Sequence, residues 1–271
     1  MKKFLISCTL FFPVIIAVVF IVRPLAAQPQ TEKDAKSLAI GVERNYEPFS
    51  YLGTNGELTG FDVELSYALC QRMNKICTIE PIRFQSLLPA LRAGDIDLVV
   101  AGIGKTQERS REFAFSQTYY RSSSFFITND TKFIQFPNEH ISEMVIGVQK
   151  DSLQETFIRS KFVSRGAQMR VYSTYQQTVE AINKGEINMI FTDGIPGYAI
   201  LNSPEGENLL IAGRPQLNLD GESHSSLTEA KIVARQQDAE LIKQVNAALL
   251  KLQAEGKYQE LHARFFPFVN F

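Results

Sequence analysis

Many features that mark an enzyme or a nucleic-acid-binding protein are missing from these 271 residues. There is no Walker sequence, no GxSxG and no HExxH, so three common enzyme signatures are absent. The three histidines, His140, His224 and His262, are scattered, and no Cys/His cluster has zinc spacing. An excess of one charge is also lacking. The 28 basic and 29 acidic residues leave a formal net charge of −1. That gives no electrostatic case for nucleic acid or for a polybasic membrane surface. Cysteine is scarce, with three in all. No second long hydrophobic run follows the one at the N-terminus. No metal or cofactor is expected.

That first run reads as a targeting segment over residues 1–27. Lys2 and Lys3 give a positive start, residues 4–22 are nearly all apolar, and Leu25-Ala26-Ala27 is a small-residue cleavage site. The run is long for a signal peptide, which leaves an uncleaved anchor as the alternative. Residues 28–37 are polar and unpatterned, as a flexible leader would be. Cys8 precedes most of the apolar run, the wrong side for a lipoprotein box. With the segment removed, Cys70 and Cys77 remain. In an oxidising compartment they would form a local disulfide, although two buried free thiols fit the sequence as well.

Beyond the leader, short apolar runs alternate with helical periodicity, which predicts an α/β fold with a largely parallel sheet. Strands are expected at residues 38–42, 77–82 and 95–101. A helix opens at Gly60-Phe61-Asp62, and a second carries Leu87, Leu88 and Leu91 until Gly94 stops it. Asn55-Gly56 is a turn signal between two extended pieces. Two passages echo each other without a gap, FQSLLPALRAGDIDLVVAG and YQQTVEAINKGEINMIFTD. Gly94 falls on Gly185, Ile96 on Ile187 and Gly102 on Asp193. Helix–Gly–strand is a common unit, but the register match suggests two similarly built lobes. Ligands of open α/β sheets collect beyond the carboxyl ends of strands, which nominates Gly102 and Asp193. Near the C-terminus, residues 230–234 read as a returning strand. An amphipathic helix follows at 238–255, with Leu241, Val245, Leu249 and Leu252 on one stripe.

The stretch 97–120, DLVVAGIGKTQERSREFAFSQTYY, carries the strongest functional signal. A buried strand runs into Gly102 and Gly104, and Thr106 is a plausible N-cap for a helix whose first turn holds Arg109. The positive end of the helix dipole disfavours a cation there. An anion would be welcomed by the free N–H groups and the guanidinium fork together. The alternative is an Arg109 folded onto Glu108 or Glu112. Asp193 likewise has a plain reading, as an Asp-Gly turn residue.

This stretch is similar to the corresponding segment of family-3 periplasmic solute-binding proteins, the amino-acid-capturing components of ABC importers. NGELTGFDVELSYALCQR, LCQRMNKIC and the terminal long helix, G-x-Y and short helix extend the resemblance over nearly the whole mature chain. LCQRMNKIC is closest to the lysine/arginine/ornithine-, histidine- and arginine-binding members, where that segment bears a disulfide. The resemblance implies a type II, two-lobed binding-protein fold with two crossover hinge strands. One lobe would span 38–124 and 230–271, the other 125–229. It also implies a monomer that binds a free amino acid and delivers it to an inner-membrane permease.

Roles carry over position by position. Arg109 would hold the ligand's α-carboxylate, with backbone N–H groups at Gly104 and Leu153. Asp193 would pair with the α-ammonium. Glu43 and Tyr46 match the side-chain subsite, and Phe84 matches a wall of it. Gln149 and Ser152 fall on the turn into the second lobe's first helix, beside Leu153. Plain readings remain for Glu43 as a loop charge, Tyr46 as packing over the first strand and Phe84 as core at a helix start. Gly104 stands where the basic-amino-acid members commonly have serine or threonine. Asp151-Ser152-Leu153 replaces a usual Gly-Thr-Thr or Gly-Thr-Gly. The expected ligand is a basic amino acid, arginine ahead of lysine, ornithine or histidine, because Glu43 is anionic and Phe84 and Tyr46 can stack on a guanidinium. The alternatives are a receptor for glutamine or another polar amino acid, and a cyclohexadienyl or arogenate dehydratase on the same fold.

Overall fold

A computed structural model describes residues 37–135, 138–213 and 227–267. The expected targeting segment 1–27 and the leader up to residue 36 lie outside the described residues, as does the stretch 214–226.

Strand and helix alternate as the sequence predicts. The strands β1 (Leu38–Glu43), β4 (Cys77–Ile82) and β5 (Leu98–Ile103) are joined through α1 (Phe61–Arg72) and α2 (Phe84–Ala93). A small hairpin of β2 (Tyr51–Leu52) and β3 (Leu58–Thr59) sits across the Asn55-Gly56 turn. β1 lies between β4 and β5 and is parallel to both. The apolar run of β5 is buried on both faces, as a covered parallel strand must be. Leu98 and Val100 pack with α1 residues such as Phe61 and Leu65. Val99 and Ala101 pack with Leu87 and Leu91 of α2.

The same construction recurs in β8 (Val145–Gln149), α4 (Leu153–Lys161), β9 (Gln168–Tyr172), α5 (Tyr175–Asn183) and β10 (Met189–Thr192). β8 lies between β9 and β10 and is parallel to both. The sequence echo is also an echo of packing. Gly94 ends α2 at φ 84°, and Gly185 follows α5 at φ 71°, conformations that side-chain-bearing residues adopt at a cost. A methyl group on Gly41 of β1 would collide with Ile96, and one on Gly147 of β8 with Ile187.

The chain changes sheet twice. α3 (Gln107–Ser110) leads to β6 (Phe113–Arg121) at the edge of the first sheet, and three serines later β7 (Phe125–Thr128) pairs with β10 in the second. α6 (Gly194–Leu201) and β11 (Leu210–Ala212) follow, and then β12 (Glu229–Arg235) returns between β5 and β6, antiparallel to both. Among the described residues, the two five-stranded sheets have the orders β4-β1-β5-β12-β6 and β11-β7-β10-β8-β9. The two crossings touch where the Ser122 N–H donates to the Thr228 carbonyl at 3.0 Å.

α7 (Ala239–Ala254) and α8 (Lys257–Phe265) complete the first sheet's cover. The buried stripe of α7 begins at Ile242 and not at the expected Leu241, which is only half-buried. Positions 242, 245, 249 and 252 keep the 3–4–3 spacing of one helix face. Cys70 on α1 and Cys77 at the start of β4 form a disulfide, with Cα atoms 6.3 Å apart. The carboxyl ends of β1, β5, β8 and β10 bring Glu43, Gly102, Gln149 and Asp193 to a shared cavity.

Candidate functional site

All ten sequence-predicted site residues line this cavity. Glu43, Tyr46, Phe84, Gly102, Gly104 and Arg109 come from segments of the first sheet's half, and Gln149, Ser152, Leu153 and Asp193 from the second's. The enclosed space is about 40 Å³, room for roughly three water molecules.

Glu43 is the last residue of β1 and only 2% exposed. Its carboxylate accepts a hydrogen bond from the Gln149 side-chain amide, at the end of β8. Burial pushes the Glu43 carboxyl up to about 8, and the Gln149 bond offsets only part of that rise.

Arg109 sits in the short helix that Thr106 caps, with the Thr106 Oγ1 accepting from the Arg109 N–H at 3.0 Å. The guanidinium is not folded onto a carboxylate of its own segment. Nη1 donates to the Gly104 carbonyl at 3.0 Å and Nη2 to the Asp151 carbonyl at 3.3 Å, across the cleft. Glu112 pairs with Arg92 instead. Burial lowers the Arg109 pKa while Glu108 and Asp151 act to raise it. The group stays a cation, since arginine does not deprotonate in proteins.

Asp193 stands both at a helix start and at the cavity wall. It caps α6, with Oδ1 accepting from the Ile195 N–H at 3.0 Å, and it also lines the cavity. Burial raises its carboxyl to about 6, against the bonds from Ile195 and Ser122. Ser152 caps α4, accepting from the Glu155 N–H at 3.1 Å and donating to the Gln149 carbonyl at 2.6 Å. That fixes the turn that presents Gln149 and Leu153. Asp151 adopts φ 60° in the same turn, with its N–H donating to Glu155 Oε2 at 2.8 Å. Tyr46 is held edge-on against Tyr175, with ring centroids 5.8 Å apart, and stacked on Phe49.

Sequence reasoning missed a layer beneath the floor. Gly102 adopts φ 62°, and its N–H donates to the Tyr119 hydroxyl at 2.9 Å. That hydroxyl in turn donates to Asp62 Oδ1 at 2.9 Å. Asp62 is buried, which pushes its carboxyl well above the usual range despite the Tyr119 bond, and the charges of Glu43 and Asp193 push it further. In sequence Asp62 is an ordinary first-turn acid, and no local pattern joins it to Tyr119. Tyr120, Gln154 and the returning residues Leu227 to Ala230 also line the cavity unpredicted.

A cavity with one guanidinium and three carboxyl groups, two of them buried, drawn from both sheets, suits a small zwitterion that carries an extra positive charge. Residues 38–268 match the family described as bacterial extracellular solute-binding proteins, family 3. The chain belongs to that family. Relatives of this family-3 protein carry names that state a ligand. The histidine-binding periplasmic protein of Escherichia coli (strain K12) is 27% identical over 276 residues, covering 99% of this chain and 98% of that protein. The L-arginine-binding protein of Pseudomonas aeruginosa is 28% identical over 243 residues, covering 86% and 89%. Among solved structures, an arginine 3rd transport system periplasmic binding protein from Legionella pneumophila is 29% identical with a TM-score of 0.74, covering 85% of this chain and 99% of that one. The fold is the two-lobed type II binding-protein fold. Among the described residues, no helix is long and apolar enough to cross a membrane.

Proposed function

We propose that this chain is the substrate-binding component of an ABC importer for a basic amino acid, arginine ahead of the others. It would be exported by residues 1–27, act in the periplasm as a monomer, and pass its ligand to an inner-membrane permease. Residues 38–124 with 230–271 would form one lobe and 125–229 the other, closing over the ligand.

The observation that carries this reading is the cavity's charge pattern. A free amino acid presents a carboxylate and an ammonium, and burying either unpaired is expensive. Arg109 would take the carboxylate, helped by the Gly104 and Leu153 N–H groups, and Asp193 the ammonium. Glu43 would face the side-chain cation, with Tyr46 and Phe84 as flat apolar walls. Gly102, Gln149 and Ser152 would complete the shell. Ligand pairing to both halves favours the closed state by differential affinity. Calorimetry with the twenty amino acids, ornithine and citrulline tests the ranking. Arginine should bind tightest, and a preference for glutamine or glutamate would defeat the basic-ligand reading while leaving an amino-acid receptor.

A dehydratase is the second reading, and one feature favours it. A carboxyl raised as far as that of Glu43 can serve as a general acid near neutral pH. The relatives named above carry the names of binding proteins. Turnover of prephenate or arogenate by the purified chain would establish the enzyme, and no turnover is expected.

A further inference from the structure

The hydrogen bond between Glu43 and Gln149 joins the ends of β1 and β8, residues 106 apart in sequence and on different sheets. It places a primary amide against a carboxyl that is almost wholly shielded from water. The two groups are matched in either protonation state. An ionised Glu43 accepts from the amide Nε2–H. A protonated Glu43 carries one O–H donor, and the amide turned over about its last torsion accepts it through Oε1.

We propose that the Glu43–Gln149 pair lets the cavity take two classes of amino-acid side chain: cations with Glu43 ionised, and neutral carboxamide or ureido groups with Glu43 protonated. The inference rests on the receptor reading above and extends its ligand class. Arginine and citrulline separate the two cases, since they share a shape and differ by one charge at the side-chain end. When arginine enters, the Glu43 proton leaves to solvent and the carboxylate faces the guanidinium. When citrulline enters, the proton stays on Glu43 and no charge is buried unpaired. Burial, partly offset by the Gln149 bond, raises this carboxyl to about 8, so both states are within reach of ordinary pH.

Other ionisable groups face the same space from every side, and most of them keep one charge state across ordinary pH. Tyr46, on the loop after β1, and Tyr120 of β6 are held well above their usual range by burial and stay neutral. Arg109 stays a cation. Glu229 of β12 is lowered, held by bonds from Lys231, Arg121 and Thr118 that outweigh burial, and stays an anion. Asp193 and Asp62 are raised, but Asp193 would meet the α-ammonium that the two ligands share, and Asp62 lies beneath the floor. The Glu43→Gln variant separates the contribution of Glu43 from that of Asp193.

The test is calorimetry of the mature chain with arginine and with citrulline, in buffers of different ionisation enthalpy, from pH 5 to 9. Arginine binding should release close to one proton more than citrulline binding near pH 7. The preference for arginine should grow up to tenfold per pH unit and level off only above the pH at which Glu43 ionises in the citrulline complex. Glu43→Gln should abolish both effects, and Gln149→Leu should move the levelling-off to higher pH because the ionised form loses its donor. Equal proton counts for the two ligands, or a preference that does not vary with pH, would overturn the inference and leave the receptor intact. If neither ligand binds, the basic-ligand reading falls and takes this inference with it.

Discussion

Arg109→Ala removes the only guanidinium among the described residues that line the cavity. Two of its five N–H donors are engaged, one by the Gly104 carbonyl and one by the Asp151 carbonyl. Three remain to meet a carboxylate. Truncation would leave the ligand's carboxylate desolvated without its cation, a loss of about 2–5 kcal/mol for a buried charge pair. That is about 30- to 5,000-fold in affinity. The variant also loses the tie to Asp151 across the cleft, so part of the loss should come from weaker closure. Arg109→Lys keeps the charge but not the planar fork, and its affinity should fall between the two. Isothermal calorimetry with arginine measures all three proteins, and thermal unfolding checks that each is folded. A folded Arg109→Ala protein that binds arginine with wild-type affinity would refute the argument, because no other cation lines the described cavity.

Glu43→Gln should weaken arginine by about 1.5–3 kcal/mol, the scale of a hydrogen bond to a charged group, while citrulline stays within a few-fold. Comparable losses for both ligands would show that Glu43 shapes the cavity without reading charge. The ligand-free protein should lose stability as pH rises from 5 to 8. The folded Glu43 carboxyl is raised by burial from 4.5 to about 8, and that of Asp193 from 3.8 to about 6. Each therefore contributes stability that is fully present below the unfolded pKa and lost as pH rises through the folded one. Denaturant unfolding at the two pH values should show a slope that Glu43→Gln reduces, and identical slopes would contradict the assignment. Replacing both Cys70 and Cys77 by alanine should cost about 2–3 kcal/mol, as expected for a short enclosed loop. Mass spectrometry of exported protein should find no alkylatable thiol at either position, and two free thiols would contradict the bond seen here.

The parts of the fold that were legible in sequence are those where local pattern and tertiary packing agree. β5 shows as an apolar run because both its faces are covered. α2 and α5 end where Gly94 and Gly185 supply a left-handed residue. α6 was hidden because Gly194, Pro196 and Gly197 read as breakers. Packing explains both glycines. A side chain at Gly194 would strike the Ser123 carbonyl, and one at Gly197 would press on Phe125 and Thr192. β6 was obscured by its polar centre, Ser116-Gln117-Thr118, which is satisfied by partners far along the chain. Ser116 Oγ accepts from the Ile232 N–H at 2.9 Å, and the Gln117 N–H donates to Asn246 at 2.9 Å. At the site, strand ends nominated Gly102 and Asp193, but no local pattern could pair Glu43 with Gln149 or Asp62 with Tyr119. For Arg109 the sequence offered a neighbouring carboxylate or an anion. The structure turns its N–H groups to backbone carbonyls, an arrangement that depends on the fold bringing Asp151 across the cleft.

The central claim is that an amino acid is captured between two lobes that close on it. Small-angle X-ray scattering of the mature protein titrated with arginine tests this most directly. The account predicts a smaller radius of gyration on saturation in the wild type and little or no change in Arg109→Ala. Arginine bound at saturation, verified by calorimetry in the same buffer, with no compaction of the wild type would contradict it.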